Sequence, residues 1–296
     1  MTFNEGMQID TSTTTSSGGG GGRGIAIGGG IGGLLIVVVA LFLGVDPGSV
    51  LPQQGAGAGA PAAEAPGFDL SQCKTGADAN RIVQCRVVAT GNSVDGVWSQ
   101  LMGSRYQRPH VRLFSGYVDT GCGPATSDVG PFYCPVDTTA YFDTDFFQVL
   151  VDRFGSSGGP LAQEYVVAHE FGHHIQNLLG DIGRAQQGAQ GAQGNGVRTE
   201  LQADCYAGIW AHYAATVKQK QTGVPYLEPL SDKDISDALS AAASVGDDRI
   251  QKQATGRISP ERWTHGSSEQ RQHWFTVGYQ TGEPKQCDTF HAADLG

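Results

Sequence analysis

The sequence predicts an α+β fold, mainly helical with a small sheet, behind one N-terminal transmembrane helix. Helical patterns of apolar residues cover residues 77–103, 160–179 and 197–220. Residues 109–118 alternate between apolar and polar positions and contain β-branched and aromatic residues, which is typical of a strand. Residues 131–145 have the pattern of a hairpin. The predicted strands are therefore few, and helices dominate.

The N-terminal region predicts a tail followed by a membrane span. Residues 1–24 are rich in Thr, Ser and Gly and predict a disordered cytoplasmic tail, because they bury too little apolar surface to fold. Residues 25–45 carry no charge, and roughly 20 apolar residues in a helix cross a bilayer. Arg23 precedes them and favours a cytoplasmic N-terminus. A cleaved signal peptide is the alternative, but its apolar core is usually about 7–15 residues long.

The rest of the chain predicts one domain outside the cytoplasm. Residues 46–67 are rich in Gly, Ala and Pro and predict a flexible linker, so the folded domain should cover residues 68–296. All six cysteines lie in this domain, and their even number favours three disulfides in an oxidising compartment. Sequence alone does not choose among the pairings, and buried free thiols in a cytosolic protein are the alternative. The favoured pairings are Cys73–Cys85, Cys122–Cys134 and Cys205–Cys287.

The charge of the chain excludes one class of partner. Asp and Glu number 29 against 19 Lys and Arg, which gives a net charge of −10. Proteins that bind nucleic acid do so through clustered basic charge. We therefore expect no nucleic-acid partner.

The strongest chemical signal is the sequence His169-Glu170-Phe171-Gly172-His173, an H-E-x-x-H pattern. Residues four apart lie on one face of a helix, so His169 and His173 can bind one ion. Zinc accepts imidazole nitrogens, and Glu170 is close enough to act as a general base without binding the metal. The segment is apolar on more than one side, which predicts a buried helix in which unpaired polar groups are costly.

A catalytic zinc ion usually has three protein ligands, so a third ligand is expected downstream. Glu200 and Asp204 are again four residues apart in a helical pattern. Glu200 is the candidate third ligand. Asp204 is the candidate acceptor for a hydrogen bond from a ligand imidazole, which would fix the orientation of that ring. A solvated acidic helix face is the alternative.

Several separated blocks resemble the bacterial neutral zinc metallopeptidase family, across roughly residues 68–296. The blocks are HEFGHH, ELQADC, YCPVDTTAYFDTDFF and the segment from GDDRIQ to QCDTF. The family is similar in its motifs to the gluzincins, in which H-E-x-x-H is followed by E-x-x-x-D. The resemblance implies a zincin-like fold, zinc held by His169, His173 and Glu200, Glu170 as the catalytic residue, and Asp204 beside a ligand.

The resemblance implies further site residues. Thr264-His265-Gly266 with Arg271 is similar to the T-H-P…R segment of membrane-associated gluzincins, with Gly in place of Pro. It implies that His265 contacts the oxyanion and that Arg271 anchors a loop or the substrate. It also implies that Thr139–Asp143 (Thr139, Ala140, Tyr141, Phe142, Asp143) is an edge strand to which a peptide substrate adds.

Together these features predict a membrane-anchored, zinc-dependent endopeptidase with one zinc ion per chain. It would hydrolyse peptide bonds by a metal-activated water with Glu170 as general base. Its partners would be a peptide or protein substrate and the membrane, through residues 25–45. One alternative is a catalytically silent, metal-stabilised binding module, and another is a structural disulfide domain.

Overall fold

The computed structural model describes residues 2–18 and 65–296, which form an α+β arrangement of helices and small sheets. The strands are β1 (Thr14–Gly18), β2 (Ala65–Pro66), β3 (His110–Phe114), β4 (Tyr117–Thr120), β5 (Gly123–Thr126), β6 (Phe132–Cys134) and β7 (Thr139–Asp143). The α-helices are α1 (Gly76–Arg81), α2 (Val83–Met102), α3 (Phe146–Asp152), α4 (Pro160–Leu179), α5 (Asn195–Ala214), α6 (Asp232–Ser244), α7 (Asp247–Thr255) and α8 (Ser268–Thr281).

Local sequence signals set the ends of several helices. Pro160 occupies the first turn of α4, where its missing N–H costs nothing, and Gly180 ends the helix in the left-handed conformation at φ 83°. Ser231 and Asp234 form a capping box at the start of α6. A second capping box starts α8, which ends at Gly282 with φ 64°. These ends agree with the start and stop signals of the sequence.

The main sheet has the strand order β2-β1-β3-β7-β6. Strand β3 runs parallel to both β1 and β7, and β6 and β7 form the predicted antiparallel hairpin. Strands β4 and β5 form a separate two-stranded sheet. The structure confirms all three favoured disulfides, Cys73–Cys85, Cys122–Cys134 and Cys205–Cys287.

Helix α5 lies at the centre of the helical layer and packs against α2, α4 and α8. Its Trp210 is fully buried and donates a hydrogen bond of 2.9 Å to the hydroxyl of Ser93 on α2. Glycines allow the close approach of α8, since a Cβ on Gly278 would lie 1.9 Å from the carbonyl oxygen of Cys205. The core therefore holds α5 rigidly next to α4, which is the helix that carries the paired histidines.

The predicted disordered tail is wrong for residues 2–18. Phe3 and Met7 are buried in the core, and β1 is an inner strand of the main sheet. The end of the predicted linker also pairs, because Ala65 lies opposite Gly18 in the β1–β2 register. Composition suggested disorder because the segment is polar, but its few apolar side chains and its backbone find partners in the rest of the domain.

The predicted single-pass topology and localisation are also wrong. Among residues 2–18 and 65–296, the structure contains no helix that combines the length and apolar character of a membrane span. The predicted span, residues 25–45, lies outside the described residues. A helix that crosses a membrane once separates the chain before it from the chain after it, whereas residues 2–18 pack into the same folded unit as residues 65–296. These observations do not support the transmembrane helix that was predicted as part of the fold class.

The predicted substrate edge strand, Thr139–Asp143, is not an edge strand. It is β7, and it is hydrogen-bonded to β3 on one side and to β6 on the other. All five of its residues are buried. Because β3 pairs along all of β7 and β6 pairs with Thr139, Ala140 and Tyr141, neither side of β7 is an open edge to which a peptide strand could add within the described part of the chain.

Candidate metal centre

Helix α4 brings both histidines of the H-E-x-x-H sequence to one place. The ring centroids of His169 and His173 are 4.8 Å apart and nearly perpendicular. Glu170, between them in sequence, is 6% exposed. The helix is buried on most of its surface, as its apolar pattern predicts.

A glycine allows α5 to approach this face of α4. A Cβ on Gly172 would lie 2.8 Å from the carbonyl oxygen of Ala203, so the two helices are in contact at this point. Ala203 lies between Glu200 and Asp204 in sequence. The close crossing therefore places both carboxylates of α5 against the histidine face of α4.

One donor atom each from His169, His173 and Glu200 lies within 4.8 Å of the others. The Nε2 atom of His169 is 3.2 Å from one carboxylate oxygen of Glu200, and the Nε2 atom of His173 is 3.5 Å from the other. The three residues are each less than a tenth exposed. They come from two different helices and could hold one metal ion.

The hydrogen-bond partners of each imidazole show which nitrogen carries the proton and which presents its lone pair to Glu200. The Nδ1 atom of His169 is 2.8 Å from Asp204, which can only accept when ionised, so Nδ1 carries the proton. The Nδ1 atom of His173 is 2.8 Å from Oε1 of Gln176. The amide nitrogen of Gln176 donates elsewhere, so Oε1 is an acceptor and this Nδ1 is protonated too. In the neutral rings, both Nε2 lone pairs point towards a carboxylate.

A bound cation would remove the repulsion between the lone pairs of these three side chains. Lone pairs of two imidazoles and a carboxylate repel one another unless a proton or a metal ion lies between them. In addition, His173 Nε2 and Glu170 Oε2 are buried without a hydrogen-bond partner among residues 2–18 and 65–296. Two nitrogen donors and one carboxylate are a ligand set that zinc accepts. The residues present therefore fit a zinc ion.

His169 is held by a buried cluster of charged and polar groups. Asp204 accepts from Nδ1 of His169, from the Tyr165 hydroxyl, and from Arg271 through Nε at 2.8 Å and Nη2 at 2.9 Å. Arg271 Nη2 also donates to the oxygen of Tyr165 at 3.1 Å. The bidentate contact with Arg271 offsets the cost of burying the Asp204 carboxylate and fixes its orientation.

His173 is held by neutral amide groups instead. Gln176 accepts from its Nδ1 atom and donates to the carbonyl oxygen of Thr199 at 2.7 Å and to Gln202 at 3.0 Å. Gln202 in turn donates to the carbonyl oxygen of Cys287 at 3.1 Å. Neither Gln176 nor Tyr165 is among the site residues predicted from the sequence. The available signal was their spacing, since Gln176 follows His173 by three residues and Tyr165 precedes His169 by four, which puts each on the same helix face as the ring it supports.

A family model described as "Putative neutral zinc metallopeptidase" matches residues 5–290 of the chain. The chain belongs to this family. Its relatives include an uncharacterized protein of Mycobacterium tuberculosis strain H37Rv, Rv2575, which is 77% identical over 296 residues and is covered in full, as is this chain. YpfJ of Escherichia coli K12, also uncharacterized, is 44% identical over 209 residues, which is 69% of each chain. No solved structure matches the chain significantly.

The electrostatics of this family member's site favour binding of a cation. Burial lowers the pKa of His169, but the carboxylates of Asp204 and Glu200 raise it more, to about 10. Burial raises the pKa of Glu200, and the nearby histidines outweigh burial and hold it below its usual range. The field at His169 Nε2 is therefore negative enough to retain a proton, and a metal ion that binds there has to displace that proton.

His265 lies in a turn that Asp247 organises. One carboxylate oxygen of Asp247 accepts from the backbone N–H groups of Thr264, His265 and Gly266, at 2.7, 2.7 and 3.0 Å. The other oxygen is 3.3 Å from Nδ1 of His265. Burial lowers the pKa of His265, and the carboxylates of Asp247 and Glu200 raise it more. Its predicted contact with an oxyanion stays a prediction.

Arg271 is not placed to contact a substrate. The side chain is 3% exposed, and its donors are directed to Asp204 and Tyr165. The prediction was that Arg271 anchors a loop or the substrate. A guanidinium buried among helices α4, α5 and α8 does not fit the substrate role, whereas its Nη1 atom lies 3.5 Å from the carbonyl oxygen of Val245, between α6 and α7. Arg271 is a positioning residue that acts on His169 through Asp204.

Proposed function

We propose that this protein is a zinc-dependent endopeptidase that hydrolyses peptide bonds with Glu170 as general base. The observation that carries the proposal is the convergence of His169 Nε2, His173 Nε2 and the Glu200 carboxylate on one point. Membership of the zinc metallopeptidase family supports a hydrolase that uses the same metal. A peptide or protein is accordingly the proposed substrate.

Each residue has a defined task in this proposal. His169, His173 and Glu200 would hold the zinc ion, which when bound supplies Lewis-acid activation of a water molecule. Asp204 and Gln176 keep the Nδ1 protons on the two rings, so that both Nε2 atoms stay available as ligands. Arg271 and Tyr165 hold Asp204 in place.

Glu170 has the properties of a general base. Its Oε2 atom is buried and has no hydrogen-bond partner in the described part of the chain, which leaves it able to accept a proton from water at the reacting centre. Burial raises the pKa of Glu170, and the histidines on either side lower it by a smaller effect. A carboxyl group with a raised pKa holds the proton long enough to deliver it to the leaving amine.

The test compares the wild-type protein with Glu170→Gln, after metal analysis of both by mass spectrometry. We expect one zinc ion per chain in each, and a loss of cleavage of roughly 10²–10⁴-fold or more in the variant, measured on a proteome-derived peptide library. Glu261→Gln, at an exposed glutamate, is the matched control and should cleave like the wild type. Zinc-loaded wild type that cleaves no peptide would favour the silent binding module instead.

A further inference from the structure

The N-terminal arm, residues 2–18, contacts the rest of the domain as a bound peptide does. Three side-chain amides each form two hydrogen bonds with the backbone of one arm residue. Asn80 accepts from the N–H of Phe3 at 3.1 Å and donates to its carbonyl oxygen at 2.9 Å. Gln219 makes the same pair of bonds with Gln8, at 2.9 and 2.6 Å.

Asn92 completes the series, accepting from the N–H of Asp10 at 2.7 Å and donating to its carbonyl oxygen at 3.0 Å. A primary amide that pairs with the N–H and C=O of one residue satisfies the backbone of an extended peptide without contacting its side chain. Asn92 and Gln219 are 7% and 4% exposed, so these amides are built into the domain.

Backbone pairing extends the contact between these amides. The N–H of Ile9 donates to the carbonyl oxygen of Lys74 at 2.9 Å, and the N–H of Gly76 donates to that of Met7 at 3.0 Å. Gln8 and Thr75 form an antiparallel bridge between these two bonds. This is the pattern by which a peptide adds to an exposed backbone edge.

Side chains of the arm provide two anchors and one contact with the metal-binding helix. Phe3 and Met7 are 1% and 0% exposed and fill the core beneath the arm. The hydroxyl of Thr2 donates to the carboxylate of Glu164, a fully buried residue of α4. The arm therefore completes the packing of the helix that carries His169.

The stretch of chain between the arm and the rest of the domain is long. Gly18 pairs with Ala65 in antiparallel strands, and a hairpin loop of about 2–5 residues is enough to connect two such strands. Residues 19–64 stand between them, a length that reaches about 150 Å when fully extended. An arm on so long a connection can reach the groove of a second copy, and domain exchange of this kind costs little, because every contact is identical.

We propose that the groove formed by Asn80, Asn92, Gln219 and the Lys74–Gly76 backbone is a peptide-docking site for residues 2–18, and that it accepts the arm of a second copy of this chain. Exchange joins two chains without a new interface. It also makes each metal-binding helix depend on the Thr2 hydroxyl of its partner. At low concentration the intramolecular arm occupies the groove, because its effective concentration is higher.

The test uses cysteine trapping between separate full-length chains. All six native cysteines are already paired, so an introduced cysteine is the single free thiol of its chain. One chain carries Gln8→Cys and the other Thr75→Cys, at positions that face each other in the bridge. We expect a disulfide-linked heterodimer in the mixture, with a yield that rises with protein concentration.

Glycine 76 gives a matched pair of variants. A Cβ at Gly76 would lie 2.0 Å from the carbonyl oxygen of Asn4 in the arm, whereas a Cβ at Gly183 would meet no atom of the described residues within 4 Å. Gly76 is also the first residue of α1, where Ala is a better helix former. Added to the Thr75→Cys chain, Gly76→Ala should reduce cross-linking several-fold, and Gly183→Ala should leave it unchanged.

A double variant that carries Gln8→Cys and Thr75→Cys in one chain distinguishes docking of the arm from exchange between copies. It should close an internal disulfide at low concentration. If it does so while the mixed single variants give no heterodimer at any concentration, exchange between copies is refuted. If the double variant does not close either, docking of the arm in the groove is itself refuted.

Discussion

The metal centre and the arm groove are two buried polar regions of one domain, and they are built by different rules. In the metal centre, charged side chains of α4, α5 and α8 contact one another, as in the cluster of His169, Asp204 and Arg271. In the arm groove, neutral amides of Asn80, Asn92 and Gln219 contact backbone atoms.

The difference concerns which substitutions each region tolerates. A buried charge has to keep an ionic partner, so the metal centre depends on the identity of nearly every residue in it. The three amides contact only the backbone of Phe3, Gln8 and Asp10, so these hydrogen bonds do not depend on which side chains the arm carries there, although Phe3 also fills the core and Asp10 also pairs with Arg108. The metal centre is therefore specified by the chemistry of its side chains, and the arm groove by the position of the arm backbone.

The largest expected effect is the loss of the metal itself in Glu200→Gln. The amide keeps the volume of the side chain but removes the charge between the two imidazoles, so the loss of zinc affinity should exceed the roughly 10–100-fold seen when only a carboxylate hydrogen-bonded to a ligand is removed. Peptidase activity should disappear. Isothermal titration with zinc, with Glu228→Gln at an exposed site as control, measures this. Unchanged affinity would remove Glu200 from the ligand set.

One disulfide lies next to each of these two regions, and we expect the two to contribute unequally to the free energy of unfolding. Cys205–Cys287 joins α5 to the C-terminal segment over 82 residues, and Cys73–Cys85 joins the backbone beside the arm to α2 over 12 residues. Loop closure predicts losses of about 4.5 and about 3 kcal/mol in the free energy of unfolding when each pair is replaced by Ala. Urea denaturation of the two variants tests the order. A larger loss for the shorter loop would show that local packing, not loop entropy, decides.

The smallest expected effect tests the point where the arm meets α4. Burial raises the pKa of Glu164 to about 7, although the Thr2 hydroxyl and Arg86 lower it. Because this pKa lies above the ordinary value of 4.5, the folded state binds the proton more tightly. The contribution of Glu164 to stability is complete below pH 4.5 and is lost as the pH rises through 7.

Relative to Glu164→Gln, the wild type should therefore lose up to about 3 kcal/mol of unfolding free energy between pH 4.5 and pH 8. The glutamine keeps an acceptor for Thr2 but does not titrate. Urea denaturation of both proteins across this range gives the difference directly, and other titrating groups cancel. Parallel pH curves would show that folding does not raise the pKa of Glu164.

Much of the candidate site could be predicted because its signals are local in sequence. The spacing of His169 and His173, and of Glu200 and Asp204, follows from helix periodicity, and Pro160 and Gly180 mark the ends of α4. The disulfides pair as predicted, two of them across short loops and the third between the two cysteines that remained. The alternating and apolar patterns also located the β6–β7 hairpin.

The errors concern pairings between distant segments. Thr139–Asp143 was correctly predicted as a strand, yet its place in the middle of the sheet depends on β3, which lies far from it in sequence. Arg271 was expected to anchor a loop or the substrate, and it binds Asp204 beside His169 because α8 packs on α5. Residues 2–18 looked like a tail, because polar composition says nothing about backbone partners elsewhere.

The sequence by itself determined the residues that could bind zinc, since ligand chemistry and helix periodicity are both properties of short segments. Only the tertiary structure decided that α4 and α5 cross at Gly172, which brings Glu200 to the two imidazoles, and that the arm closes the sheet beside β3. The physical reason is that packing and backbone pairing join segments far apart in the chain, and no local pattern records which partner each of them will find.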